Sequence, residues 1–269
     1  MPGRNLPGAA DPWGGCWPGP GNTGIPAGVQ LHTCPTTITM PGTYDACQFN
    51  SAVVVKATGV VITRSLIKGP VTSKQNAGLN SLVIRDSTIA CGCPSVGSGT
   101  TVGIEDDGFT MQRVDLSGSG HGAAPRNHVI IQDSWIHGLG GNTSDHKDGV
   151  YVGDGTDAVI NHNTVECNDG PAAGCSSAIG LMSDFAVINH YVITGNLLNT
   201  IGSFCFYGGD NPQKPFAAQY ITFTSNVFGE AIYSKCGFYG PVTDFDLRQP
   251  GMVWGDNRWA DTGALVAAA

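Results

Sequence analysis

Residues 158–165 read AVINHNTV, residues 191–198 read YVITGNLL and residues 221–228 read ITFTSNVF. Each carries apolar residues in alternation, then two polar positions, an Asn and a further apolar pair. Alternation of this kind turns one face of a short strand into a core. Two polar residues followed by Asn is turn chemistry. Working back along the chain, the phrase returns as VIIQDSWI (129–136), FTMQRVDL (109–116), LVIRDSTI (82–89) and VVITRSLI (60–67). Its anchor residues are Ser65, Ser87, Val114, Ser134, Asn163, Asn196 and Asn226, spaced 22, 27, 20, 29, 33 and 30 residues apart.

A repeat of this length with two short strands per copy is a solenoid, because one copy cannot bury its apolar face alone. No LxxLxL frame or helical segment follows the strands, which excludes leucine-rich repeats, and propeller blades need roughly 40 residues and four strands. The fold class is all-β: a right-handed parallel β-helix of about seven or more rungs, roughly 4.8 Å apart, with capped ends. Asn at the corners tolerates a left-handed backbone and can stack into a hydrogen-bonded ladder, which is a structural role. Residues 1–30, rich in Pro, Gly and Trp, form an extended N-terminal arm or cap, 31–235 the β-helix, and 236–269 a C-terminal cap and tail. Bare end rungs expose strand edges. Trp13 and Trp17 are expected over the first end, and Phe238, Tyr239, Trp254 and Trp259 over the other.

Composition agrees. Charged residues are 13 % of the chain and Gly numbers 39, whereas a helical enzyme of this size needs charged outer faces and roughly twice that fraction. A net charge of −8 without a basic run argues against nucleic acid as a partner. No apolar window reaches the roughly 18 residues of a membrane span. Nine cysteines without a CxxC pair point to disulfides rather than a metal site. Cys34 with Cys47, Cys167 with Cys175 and Cys205 with Cys236 are the candidate pairs; Cys91 and Cys93 form a lone CxC, and the odd count leaves one thiol for a partner chain or for none. The first residues lack the apolar stretch of a secretory signal. The chain is then either a trimmed mature domain or a protein released by lysis.

CWPGPGNTGIPAGVQL near the start, KCGFYGPVTDFDLRQPGMVWGDNRW near the end and the HKDGVYV turn resemble actinobacterial right-handed parallel β-helix repeat proteins, over about residues 16–260. That resemblance includes minor tail proteins of phages and, more distantly, pectate lyases, polygalacturonases and tailspikes. It implies a virion-associated tail protein, located in the virion tail or extracellularly, that binds host cell-surface polysaccharide and, in a catalytic version, cleaves it. Other tail proteins would be its further partners, and a homo-oligomer is open, although no heptads enforce one. The alternatives are a secreted polysaccharide lyase or glycoside hydrolase, and a non-catalytic tail-tip component. No cofactor is implied, except Ca²⁺ for a lyase.

Glycan cleavage by hydrolysis needs two carboxylates facing one groove. The catalytic candidates are Asp106 and Asp107 in GIEDDGF, with Asp145, His146 and Asp148 in SDHKDG; His121 in SGHGA stands beside them. The DD, GHG and NTSD fragments occur in an order unlike that of polygalacturonases and without RIK, and are read as chance. If Val150 and Val152 face inward, alternation puts His146 and Asp148 on the buried side and Asp145, Lys147 and Tyr151 outward; a bulge would undo this. Trp135, Tyr151 and Tyr207, with Phe206 and Tyr220, are candidates for stacking on sugar rings, and Lys214 and Asp210 in the 208–219 loop for lining a groove.

Overall fold

The protein, seen in a computed structural model, is described over residues 5–73, 81–94, 101–142, 144–168 and 174–268. It is a right-handed parallel β-helix. Three parallel sheets of ten, nine and nine strands run its length, and no described residue is helical. Each coil visits the sheets in a fixed order. Thr164–Cys167 lies in the first sheet, Cys175–Leu181 in the second and Ile188–Thr194 in the third, and Leu197–Thr200 returns to the first. Register repeats between coils: Val165 pairs with Leu198 and Leu198 with Phe228. The inward columns, such as Ile136, Val165, Leu198 and Phe228, or Ile131, Ile160, Ile193 and Phe223, make one continuous core.

A coil therefore has three strands, where the phrase suggested two. The phrase spans a third-sheet strand, the corner and the next first-sheet strand; the second-sheet strand lies between copies. At each corner the left-handed residue is the one before the anchor: Arg64, Asp86, Asp133, His162 and Ser225 have φ of 48°, 49°, 52°, 50° and 57°. This corrects the expectation that the anchors themselves take that conformation. Anchors instead bond coil to coil. The N–H groups of Ser134, Asn163, Asn196 and Asn226 donate to the side-chain oxygens of Asn163, Asn196, Asn226 and Asn257 at 2.9, 2.9, 3.0 and 3.0 Å. Cys47 and Ser65 donate likewise to the Ser65 and Ser87 hydroxyls. Val114 breaks the row because its side chain has no acceptor.

The far end is closed by Trp254, whose ring stacks on Phe223 at 4.9 Å and whose indole N–H donates to the Val266 carbonyl. Trp259 packs on Phe228. Phe238 and Tyr239, expected in this lid, are 59 % and 63 % exposed. The N-terminal arm does not sit over the first coil. It lies along the outside of the first sheet, with Trp17 fully buried against Leu197 and Val227 and Asn5 bonded to the Ala260 carbonyl. At its other end the Gly24 N–H reaches the Arg113 carbonyl.

Disulfides join Cys34–Cys47, Cys91–Cys93, Cys167–Cys175 and Cys205–Cys236, and Cys16 is free and exposed. Four such bonds mark an oxidising environment. Among the described residues, no helix is long and apolar enough to cross a membrane.

Candidate functional site

The second sheet breaks simple alternation, and this makes the site. In its strands two successive residues face the core: Gly103 and Ile104, Gly122 and Ala123, Gly149 and Val150, Ala178 and Ile179 are all buried. A Cβ on Gly122 would meet Ile136 Cγ2 at 2.4 Å, and one on Gly149 would meet Val165 Cγ1 at 2.3 Å. The glycines thus occupy inward positions too tight for a side chain. The residue before each pair is turned out, which sets His121, Asp148 and Ser177 side by side on the outer face. Asp148 pairs in register with Ser177, with a register shift between Lys147 and Asp148.

Alternation from Val150 therefore misplaces this turn. His146 is exposed and Lys147 fully buried, the reverse of the expected faces. Asp148 is only 1 % exposed, yet it lines the floor of an outer cleft rather than the core.

A groove runs along this face. One cleft of about 240 Å³ is lined by His146, Asp148, Tyr151, Tyr207, Asp184 and Lys214, among others. A neighbouring one of about 400 Å³ is lined by Asp106, Arg126, Tyr151, Asp154 and Phe185, among others. Tyr151 belongs to both. The floor is the second sheet, where Tyr151, Gly180 and Tyr207 follow one another in register. The two tyrosines stand two strand spacings apart, roughly 9–10 Å. The wall is built by loops joining the second sheet to the third, which carry Arg126, Asp154, Asp184, Phe185 and Lys214.

Hydrogen bonds fix these groups. Ser177 Oγ donates to Asp148 Oδ1 at 2.5 Å, and the Asp148 backbone N–H donates to His121 Nδ1 at 3.0 Å. A nitrogen that accepts carries no proton, so the approach of His121 Nδ1 to Asp148 Oδ2 at 3.7 Å is no ion pair. Burial agrees on both sides. It pushes the Asp148 carboxyl up to about 8 and pulls the His121 imidazole down to about 4. The pair is neutral through most of the neutral range: a carboxylic acid beside an uncharged imidazole. His121 also stacks on Tyr151, with centroids 4.5 Å apart. Tyr151 donates to Asp184 Oδ2 at 2.9 Å, and Lys214 closes an ion pair on Asp184 Oδ1. Arg126 holds Asp154 bidentately at 2.7 and 3.1 Å.

Of the sequence candidates, Asp106, His146, Asp148, Tyr151, Tyr207 and Lys214 share this groove. Asp107 and Asp145 do other work. Asp107 Oδ1 accepts from the Asn127 backbone and side-chain amides at 3.1 and 2.9 Å, and Asp145 Oδ2 accepts from the Asn142 N–H at 2.8 Å. Both cap turns. Trp135 belongs to the first sheet, where its indole N–H donates to Glu166 at 3.0 Å, so it is not in the groove. Phe206 is core, and Tyr220 stacks on His190 in a strand of the third sheet.

Asp184, Phe185, Arg126, Asp154 and Ser177 were missed by sequence reasoning. Their signal was position: each of the first four follows a second-sheet strand that the repeat phrase does not mark. Among the described residues, the one grouping of three His, Cys, Asp or Glu ligand atoms close enough to hold an ion is His32, Cys34 and Cys47. Two of these are joined in a disulfide, and none lines the groove. Comparisons with protein-family models, curated proteins and solved structures returned no match.

Proposed function

We propose that this β-helix binds a polysaccharide lengthwise in the second-sheet groove and cleaves it with Asp148 as general acid. A virion-tail setting and a host-surface glycan follow from the sequence resemblance. The observation that carries the reading is the buried Asp148 carboxyl, bonded to Ser177 on the floor of an aromatic-lined cleft, where burial pushes it up to about 8 and so favours its protonated form near neutral pH. A general acid needs its proton at working pH, which an ordinary carboxyl has lost. Asp184, a second carboxylate lining the same cleft and held by Tyr151 and Lys214, is assigned as the counterpart that glycoside hydrolysis requires. Tyr151, Tyr207 and Phe185 offer ring faces to the apolar faces of pyranoses.

The test is a binding and cleavage panel of polygalacturonate, alginate and arabinogalactan. Reducing ends report hydrolysis, and the ultraviolet absorbance of unsaturated uronates reports elimination. Asp148→Asn is expected to lower cleavage by about 10²–10⁴-fold while binding persists; Tyr151→Ala is expected to weaken binding. Binding without any cleavage by the wild type would remove the catalytic half. Absence of both binding and cleavage with all three polymers would overturn the whole reading.

A further inference from the structure

The segment expected to close the end of the rod contains rings that cover nothing. Phe238 and Tyr239 are 59 % and 63 % exposed, and they belong to a contiguous set. Tyr233 meets Phe238 at 5.8 Å, Phe238 meets Tyr239 at 4.8 Å, Tyr239 meets Phe204 at 5.8 Å, and Phe204 meets Tyr207 at 5.6 Å. Tyr207 is a groove residue. The aromatic surface and the groove are therefore one track along the rod axis. Phe204 pairs in register with Gly240 and lies about two strand spacings beyond Asp148.

The backbone under these rings is rigid. Cys236 is tied to Cys205, and the Phe238 and Tyr239 N–H groups donate to the Gly202 and Ser203 carbonyls, both at 2.8 Å. A Cβ on Gly237 would stand 2.6 Å from Phe204 Cα, so the two backbones touch. Side chains presented from such a frame lose little freedom on binding.

Exposed apolar patches of this kind mark binding surfaces, and two observations select the occupant. Three of the four ring contacts are edge-to-face, at interplanar angles of 79°, 84° and 84°. Each such contact occupies one face of one ring and leaves the faces of the other ring free. The row also runs into the groove, since Phe204 meets Tyr207 of the cleft beside Asp148. A row of rings with open faces that continues the groove suits the saturated rings of a chain already lying in that groove better than a packed protein helix or strand.

Resting on the groove reading above, we infer that Phe204, Tyr233, Phe238 and Tyr239 form distal subsites for the same glycan chain, so that the protein selects long oligosaccharides over short ones. A short oligomer fills the clefts around Asp148 and Tyr151; only a longer one also reaches the Phe238 platform.

The experiment is calorimetric titration of wild type, Phe238→Ala/Tyr239→Ala and Tyr151→Ala with graded oligogalacturonides, graded alginate oligomers and graded arabinogalactan fragments, dimer to octamer. Wild-type affinity is expected to rise with length. The Phe238/Tyr239 variant should lose that rise, weakening the longest oligomers on the order of tenfold per ring, with dimer and trimer affinity unchanged. Tyr151→Ala should weaken every length. Both substituted rings are exposed, so the variant's melting temperature should match wild type, which separates lost contacts from lost fold. Wild-type affinity that does not grow with length, or growth that survives in the double variant, overturns the inference and leaves the groove reading intact. Wild type binding none of the three series overturns the groove reading and this inference with it.

Discussion

The Asp148 side chain sets a pH response that can be worked out with its sign. Its carboxyl is raised by burial to about 8, so the native state holds a proton that the unfolded chain releases near an ordinary carboxyl value. Stability from this group is therefore complete below about pH 4 and is lost as pH climbs towards about 8. His121 works the other way. Burial lowers it to about 4, so its contribution is present above the unfolded value of about 6.5 and is lost as pH falls towards 4. Between roughly pH 4 and 6.5 the two slopes oppose each other; from 6.5 to 8 Asp148 acts alone of the two, and the raised imidazole of His162 adds a loss of the same sign. Melting temperatures measured across pH should fall between 6.5 and 8 in the wild type. Asp148→Asn, which keeps a neutral group of the same shape, should shrink that fall to the part His162 contributes and uncover the His121 rise from 4 to 6.5. A variant whose profile overlays the wild type would show that this carboxyl is not held protonated.

At the scale of strands and corners, the Asn ladder is the main polar element. Asn196 Oδ1 accepts from the Asn163 N–H at 2.9 Å, and its Nδ2 donates to the Ile160 carbonyl at 2.9 Å and to Asn226 Oδ1 at 2.9 Å. Asn196→Ala would leave a buried N–H and a buried carbonyl without these partners, at about 1–3 kcal/mol each. Chemical denaturation should show a loss of about 2–6 kcal/mol, and a change below about 0.5 kcal/mol would refute the ladder's energetic role. This ladder was legible because Asn repeats at a fixed place in a strongly alternating phrase. Its last member, Asn257, was not: MVWGDNRW (252–259) follows the same grammar, but Trp and Arg disguise its apolar positions. The second sheet was the least legible element. Its paired inward residues, such as Gly149 with Val150, defeat a period-two reading. Counting back from Val150 therefore set His146 inward and Lys147 outward. The loops that complete the groove, carrying Arg126, Asp154 and Asp184, vary in length from coil to coil and belong to no repeat.

For the whole molecule, the arm is the feature that ties one end of the chain to the other. It runs from Asn5 on the Ala260 carbonyl to Gly24 on the Arg113 carbonyl, and it is latched midway by His162. That imidazole sits between Asp133 at 2.8 Å and Asp11 of the arm at 3.2 Å; the hydrogen bond to Asp133 leads in raising it above its usual value, with Asp11 adding to it. Trp17 stacks on the same ring at 5.7 Å. A raised imidazole stabilises the latched state fully below about pH 6.5, and this is lost as pH rises through its higher folded value. The free thiol of Cys16 lies next to Trp17 in the arm and is exposed, so a fluorophore placed there reports the arm's mobility. Its anisotropy should fall as pH is raised from about 6.5 into the mildly alkaline range, while far-ultraviolet circular dichroism of the rod stays constant. His162→Gln keeps a hydrogen-bonding side chain but cannot carry the charge, and should show low anisotropy throughout that range. An anisotropy that stays high in both proteins until the rod itself melts would mean that Trp17, buried against Leu197 and Val227, holds the arm without help from His162.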